Sequence, residues 1–154
     1  MAKSAGKKAT AADADIVMKL YDLRREAEMR KARNWFASWS PQSFDEITQL
    51  SMNFAADENR WMRQVLTYWE NAASLVLRGV VNRDLFLDWG GELIFVYTKI
   101  KPWLKQIREF NNMPDWLEKV EKVATSTPET RKRVAWMEDR FKKMAEMRAR
   151  TAKA

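Results

Sequence analysis

Asp57–Gly79 reads DENRWMRQVLTYWENAASLVLRG. Trp61, Val65, Tyr68, Ala72 and Leu75 recur there at spacings of three and four, and Met62, Leu66, Trp69, Ala73 and Val76 fall beside them. An α-helix turns once in 3.6 residues, so both series lie on one broad side. Arg60, Arg63, Thr67, Asn71, Ser74 and Arg78 take the opposite side. So wide an apolar stripe belongs to a helix at the centre of a core. Gly79 ends it, because glycine enters the left-handed C′ conformation without a Cβ clash.

Outward from this helix the same periodicity continues. Asn82 can cap a long helix reaching Phe110, with Leu85, Trp89, Val96, Ile100, Trp103 and Ile107 on one face. Gly90-Gly91 and Pro102 interrupt it, and a kink is expected at Pro102. Asn112, Met113 and Pro114 open a fifth helix through Ala124, with Trp116, Leu117, Val120 and Val123 inward. Ser126-Thr127-Pro128-Glu129 is a further start signal, with proline in the first turn. The helix after it runs to about Arg148 with a narrow seam of Val134, Met137, Phe141 and Met144. That is under two heptads, which suits a docking helix better than a coiled coil.

Upstream, Ser43–Phe54 reads as a short helix in which Ser43 and Glu46 form a capping box over Phe44, Ile47, Leu50 and Phe54. Before it, a first helix is expected from Ala14 to Trp39, with Asp13 as N-cap and Ile16, Leu20, Leu23 and Ala27 inward. Ser40-Pro41 stops it, since proline disfavours helix at the residue before it. Residues 1–12 hold no large apolar side chain beyond Met1 and read as a flexible basic tail. The fold expected is therefore all-α: a single-domain bundle of five to six helices over residues 13–150. Its long first and last helices lie outside, and the helices of Asp57–Arg78 and Asn82–Phe110 pack as its centre.

Composition narrows the chemistry. The chain of 154 residues is of one-domain length, and its four glycines and four prolines are too few for the many turns of a β protein. Without cysteine there is no disulfide, thiol nucleophile or thiolate metal site, and without histidine no imidazole base or usual zinc site. Gly6, Gly79, Gly90 and Gly91 match no phosphate-binding loop. Ser4 and Lys7 form an S-x-x-K string, but in a tail that could not hold a nucleophile in place. No apolar run approaches the roughly 20 residues of a membrane span. The basic N-terminus lacks the apolar stretch of a signal peptide, and Ala2 excludes myristoylation. A cytoplasmic protein without a cofactor or metal is expected.

Charge is unevenly spread. Residues 1–40 carry nine Lys/Arg and five Asp/Glu, residues 41–100 five and eight, and residues 101–154 fourteen and eight. Basic ends around an acidic middle suit an anionic partner, nucleic acid or lipid, or the acidic middle of a second copy. Arg24–Arg33 (RREAEMRKAR) is polar almost all round, so it needs i,i+4 pairs or a partner. Arg131, Lys132, Arg133, Arg140, Lys142, Lys143, Arg148 and Arg150 make the last helix basic, although Glu129, Glu138, Asp139 and Glu146 interleave. Most of the eight tryptophans fall on apolar stripes and read as core. Trp35, Trp39 and Trp136 lie beside basic surface and are candidates for contact with a partner. The candidate interaction residues are thus Arg131, Lys132, Arg133, Arg140, Lys142, Lys143, Trp35, Trp39 and Trp136. Asp84, Asp88 and Glu92, at i, i+4 and i+8, would share one helix face and could hold Mg²⁺ or Ca²⁺; a solvated acidic face near a helix N-terminus is the plainer reading. Gly90-Gly91 marks either a helix break with close packing or a gap left for a ligand.

The run Tyr68-Trp69-Glu70-Asn71-Ala72, through Leu75 to Arg78-Gly79-Val80-Val81 and then Asp84-Leu85, resembles a family of small bacterial helical proteins known only as a domain of unknown function. The resemblance covers about residues 55–125. It implies a bacterial source and a helical fold, and supplies no activity and no functional residues. Many members carry an N-terminal membrane helix, which this chain lacks. The function expected is a non-enzymatic interaction or assembly protein that associates with itself through its first and last helices. The alternatives are a basic adaptor for nucleic acid or an anionic membrane, and a carboxylate-based metal binder or enzyme.

Overall fold

The structure, a computed structural model, describes residues 8–152. Every regular element among them is helical: α1 (Ala11–Arg25), α2 (Ala27–Ser38), α3 (Phe44–Met52), α4 (Asp57–Leu77), α5 (Arg83–Trp89), α6 (Gly91–Ile100), a 3₁₀ turn (Lys101–Trp103), α7 (Leu104–Asn111), α8 (Glu118–Ala124) and α9 (Pro128–Thr151).

The wide stripe of α4 lies where its pattern puts it. Val65, Trp69, Ala72 and Ala73 are almost wholly buried, and α4 packs between α2 and α8. Gly79 follows it at φ +68. The Val80 N–H reaches the Leu75 carbonyl at 2.9 Å and the Gly79 N–H reaches that of Val76 at 3.0 Å. This is a Schellman closure of the last turn.

The long helix expected at the start of the sequence is broken, whereas the last one, α9, is continuous. Thr10, not Asp13, is the first N-cap: its hydroxyl accepts the Asp13 N–H while the Asp13 carboxylate accepts the Thr10 N–H. Residues 11 and 12 therefore belong to a helix rather than to the expected tail, whose residues 1–7 lie outside the described residues. Glu26 then turns extended, at φ −55 and ψ 143, and its carboxylate caps the Met29 N–H. The break turns Met29, Ala32 and Phe36 of α2 into the core against α4. In the expected arrangement the helix of Asn82–Phe110 held that place.

That helix is itself divided. Asn82 caps α5 through the Leu85 N–H, as expected, but Gly90 closes it after two turns. A Cβ at Gly90 would stand 2.8 Å from the Phe86 carbonyl oxygen, so the break is a close approach that only glycine allows. At Pro102 the chain tightens into the 3₁₀ turn instead of a simple kink. Asn112, at φ 51, ends α7, and α8 begins only after Leu117, at φ 58, later than Asn112–Pro114 suggested. No neighbouring side chain caps α8. Glu70 of α4 does so from a distance, accepting the N–H groups of Lys119 and Val120. In α3, Ser43 caps Glu46 as expected, but the Glu46 carboxylate turns to the Gln42 N–H rather than back to Ser43.

Leu93–Ile100 of α6 is almost entirely buried, and α6 packs on α8 and α9. Thr127 and Thr130 cap α9 reciprocally behind Pro128. The first half of α9 buries Thr130 and Val134, whereas residues 142–152 are exposed throughout.

Candidate functional site

Because only its first half is seated on α6, α9 runs out over the body and leaves a groove beneath it. With 24 residues, α9 is about 36 Å long. The groove has a volume of about 830 Å³. One wall is α9, the floor is Phe95, Thr98 and Lys99 of α6 with Trp103, and the far side is the chain from Ala37 to Gln42. The seam of α9 explains the opening. Val134, Met137 and Phe141 fill the space against α6, with Phe141 edge-on to Phe95 at 5.4 Å. Beyond Met144 the same face continues as Ala145, Ala149 and Ala152, which are too small to reach across.

Three charged residues line the groove, Lys99, Arg140 and Arg148, and all are cationic. No carboxylate is among the lining residues. Lys99 is the sole charge in Leu93–Ile100 and is almost fully buried. Its Nζ donates to the carbonyls of Phe36, Ala37 and Trp39 at 2.7, 2.9 and 2.6 Å, capping the C-terminus of α2. It also lies over the Phe95 ring at 4.8 Å. Burial, and secondarily the positive charge of Arg148, push its ammonium down to about 8. The three carbonyls pull the other way, because they hydrogen-bond the charged form. With its donors engaged by α2, Lys99 reads as a structural cap that lends positive potential to the groove floor.

The sequence candidates scatter around this geometry. Trp136, 58% exposed, lines the groove, and Arg140 lies over its ring at 5.5 Å. Lys132 and Lys142 are on exposed faces of α9. Lys143 pairs with Asp139 at 2.7 Å, which raises its pKa. Arg131 donates to the Thr125 carbonyl at 2.7 Å, closing the turn before α9. The Arg133 guanidinium lies over Gly91, 3.1 Å from where a Cβ would be. Trp35 and Trp39 do not join α9. They stack on each other at 5.2 Å and pack with Phe36 and Trp61 at the end of α2. Sequence reasoning passed over Lys99 and went no further than the basic character of Arg148; a lone charge inside an apolar helix was the available signal for Lys99.

The acidic face expected of Asp84, Asp88 and Glu92 is divided by Gly90. Asp84 and Asp88 stay exposed on α5. Glu92, its side chain 19% exposed, turns inward at the start of α6. It takes Arg33 through Nε at 2.8 and 2.9 Å and through Nη2, faces Arg24 at 3.7 Å, and accepts from the Trp69 indole at 3.4 Å. Among the described residues no group of three or more metal-ligating side chains is placed to hold an ion. The glycine pair is a tight break, occupied by Phe86 and Arg133. In the polar stretch Arg24–Arg33, Arg24 and Arg33 find their partner in Glu92, and Lys31 pairs with Glu28. Among the described residues no helix is long and apolar enough to cross a membrane.

The family described as Domain of unknown function (DUF4760) matches residues 9–127. The match extends well upstream of the region where the sequence suggested a resemblance, and stops at the residue that caps α9. No curated protein and no solved structure matches the chain.

Proposed function

The chain belongs to this family of unknown function, and we propose that it is a non-enzymatic interaction protein that docks an acidic, apolar-faced helix of a protein partner beneath α9. The observation that carries this reading is the groove: apolar walls whose three charges are all positive. A helix with apolar residues at i, i+3, i+4 and i+7 and carboxylates on its flanks matches such a surface in shape and sign. The state of α9 supports it. A helical half exposed on every side is marginal without packing, and covering its alanine seam supplies that packing.

The source of the helix is constrained by charge. The α9 of a second copy would bring like charges into the groove, so assembly through paired last helices is disfavoured. Homotypic assembly would instead set the groove of one copy against the acidic middle of the next, a head-to-tail contact. Nucleic acid fits less well, because the groove is apolar and Glu138, Asp139 and Glu146 interleave with the cations of α9.

The test is a pair of designed peptides with leucine at i, i+3, i+4 and i+7, one filled out with Glu and the other with Lys. Docking predicts that the Glu peptide gains helicity and binds at least tenfold more tightly, with an affinity that falls as salt rises. Equal binding of the two peptides would contradict it. Light scattering of the protein alone then separates the two sources: a salt-sensitive oligomer supports a neighbouring copy, a monomer a different chain. A second reading, docking on an anionic lipid surface, has one observation in its favour: Trp136 and Met147, 58% and 66% exposed, flank the same cations. Phosphatidylglycerol vesicles would then blue-shift the tryptophan emission, and phosphatidylcholine vesicles would not.

A further inference from the structure

A second cavity, of about 350 Å³, opens between α3, α4 and α7, apart from the groove and inside the residues that the family matches. Phe44, Ile47, Leu66, Ile107 and Trp116 are among its walls. Asn59 of α4 is fully buried, and its Nδ2 donates to the carbonyls of Leu50 and Ser51 at 2.9 and 3.0 Å, in the last turn of α3. It thereby ties α3 to α4 along one side of the cavity. Met52, Phe54, Phe110 and Met113 also line the cavity and are between 48% and 70% exposed. Apolar side chains exposed singly are ordinary, but four around one opening make a patch.

Thr48, Ser51, Thr67 and Asn111 each donate to a carbonyl of their own helix. Arg63 is the one charged residue in the lining and is exposed, which sets it at the mouth. Arg60, three residues earlier, is held by Asp57 at 2.9 Å and faces Glu28 at 3.9 Å. Arg63 has no such neighbour: the residues one turn away on either side are Asn59, Arg60, Leu66 and Thr67, none of them a carboxylate. Among the described residues its guanidinium makes no ion pair and no hydrogen bond. An unpaired cation at the opening of an apolar cavity marks the place of an anion.

We propose that this cavity binds an apolar monocarboxylate of the size of a medium-chain fatty acid, its hydrocarbon among the apolar walls and its carboxylate on the Arg63 guanidinium. The volume is at the lower end for ligand pockets, which suits one short chain rather than a phospholipid. One guanidinium matches one carboxylate, whose two oxygens it can take with two parallel N–H donors. A doubly charged phosphate would need a second cation, and the lining holds none. The methionines at the mouth are flexible enough to close over a chain. Because Arg63 is exposed, salt screens the pair: burial of the hydrocarbon supplies most of the affinity, and the arginine supplies the preference for an anion.

The experiment titrates the full chain with octanoate and with octanol by calorimetry, with octanoate kept below its micellar concentration. Octanoate is expected to bind saturably, and more weakly as salt rises. Arg63→Gln, at an exposed position of α4, should keep the fold. It is expected to weaken octanoate roughly fivefold or more while octanol changes by less than about twofold. Thr48→Phe, at a half-buried position on α3, fills the cavity and is expected to abolish binding of both probes while the circular dichroism spectrum is kept; if that variant fails to fold, Arg63→Gln decides the matter. The groove beneath α9 is also apolar and cationic, so Arg140→Glu combined with Arg148→Glu is the control and should bind octanoate as the original chain does. Unchanged octanoate affinity in Arg63→Gln, an equal loss of both probes there, full binding in a folded Thr48→Phe variant, or a loss in the groove variant instead would each overturn the proposal. So would the absence of saturable octanoate binding, which would return the apolar patch to a protein partner.

Discussion

Replacing Glu92 with glutamine tests how the polar stretch of the first helices is held. The carboxylate joins four elements: it takes Arg33 of α2 and Arg24 of α1, accepts from Trp69 of α4, and stands in the first turn of α6. The substitution keeps the shape of the side chain and removes its charge. Two arginines are then left facing each other, with side chains 10% and 31% exposed. Breaking a buried pair by removing one partner costs about 3–5 kcal/mol; the partial exposure of Arg33 screens some of that, so a loss of about 3 kcal/mol is expected. For a chain of this length that corresponds to a fall in Tm of about 6–12 °C. Urea denaturation and calorimetry of Glu92→Gln, Arg33→Gln and the double variant measure it. The double variant should lose less than the two single variants together, since Glu92→Gln alone strands two arginines and removing Arg33 as well relieves one of them. A loss below about 1 kcal/mol, or strict additivity, would show that the stretch is not held by this carboxylate and would return it to the surface as a partner site.

Gly79 and Gly90 should separate by mechanism. Gly90→Ala places a Cβ 2.8 Å from the Phe86 carbonyl and 3.1 Å from its ring, and a loss of about 1–3 kcal/mol is expected. Gly79→Ala meets nothing within 4 Å but sits at φ +68, so about 1–2 kcal/mol is expected; chemical denaturation reads both, and a neutral Gly90→Ala would mean that the α5–α6 break relaxes freely. Buried Lys99 and half-buried Tyr68 should titrate with opposite effects on stability. Lys99 falls to about 8 from an ordinary 10.5, so between those values the unfolded chain holds more protons. The cost of burying its charge is then relieved as pH rises, and the stability of the protein relative to Lys99→Met should climb across that window. Tyr68, whose hydroxyl donates to the Leu20 carbonyl at 2.6 Å, is raised by burial to about 12 from 10. There the native state holds the proton longer, so stability relative to Tyr68→Phe should fall as pH rises from 10 to 12. Denaturation midpoints at stepped pH give both slopes, and a slope of the wrong sign refutes the corresponding burial.

Several helix ends with local signals were legible in the sequence, although the Thr10 box and the Glu26 cap, also local, were not. Ser43, Asn82, Thr127 and Gly79 act on N–H or carbonyl groups within a few residues, and each does so in the structure. Where a helix end is satisfied from elsewhere in the fold, the sequence was silent. Glu70 caps α8 across 49 and 50 positions, and Lys99 caps α2 across more than 60. Such ends can fall in the middle of an apolar or charged run. That is why the late start of α8 was not read; the break at Glu26 is capped locally by its own carboxylate, but a glutamate inside a charged run gives no distinct stop signal.

Half of the groove could be read as well. The seam Val134, Met137, Phe141, Met144 is local periodicity, and so is the basic surface of α9. The opposite wall comes from α6 and the chain after α2, and only the fold brings these together. The same limit separated Trp35 and Trp39, which stack with each other one turn apart, from Trp136.

The reading of α9 as a docking helix is tested most directly by reversing the charge of its groove. In Arg140→Glu combined with Arg148→Glu, both changes fall on exposed positions of α9, so the fold should be kept. Titrated with the Glu and Lys peptides, the original chain is expected to prefer the Glu peptide and the reversed chain the Lys peptide. If both chains show the same preference, or neither shows any, the groove beneath α9 is not where a partner helix docks.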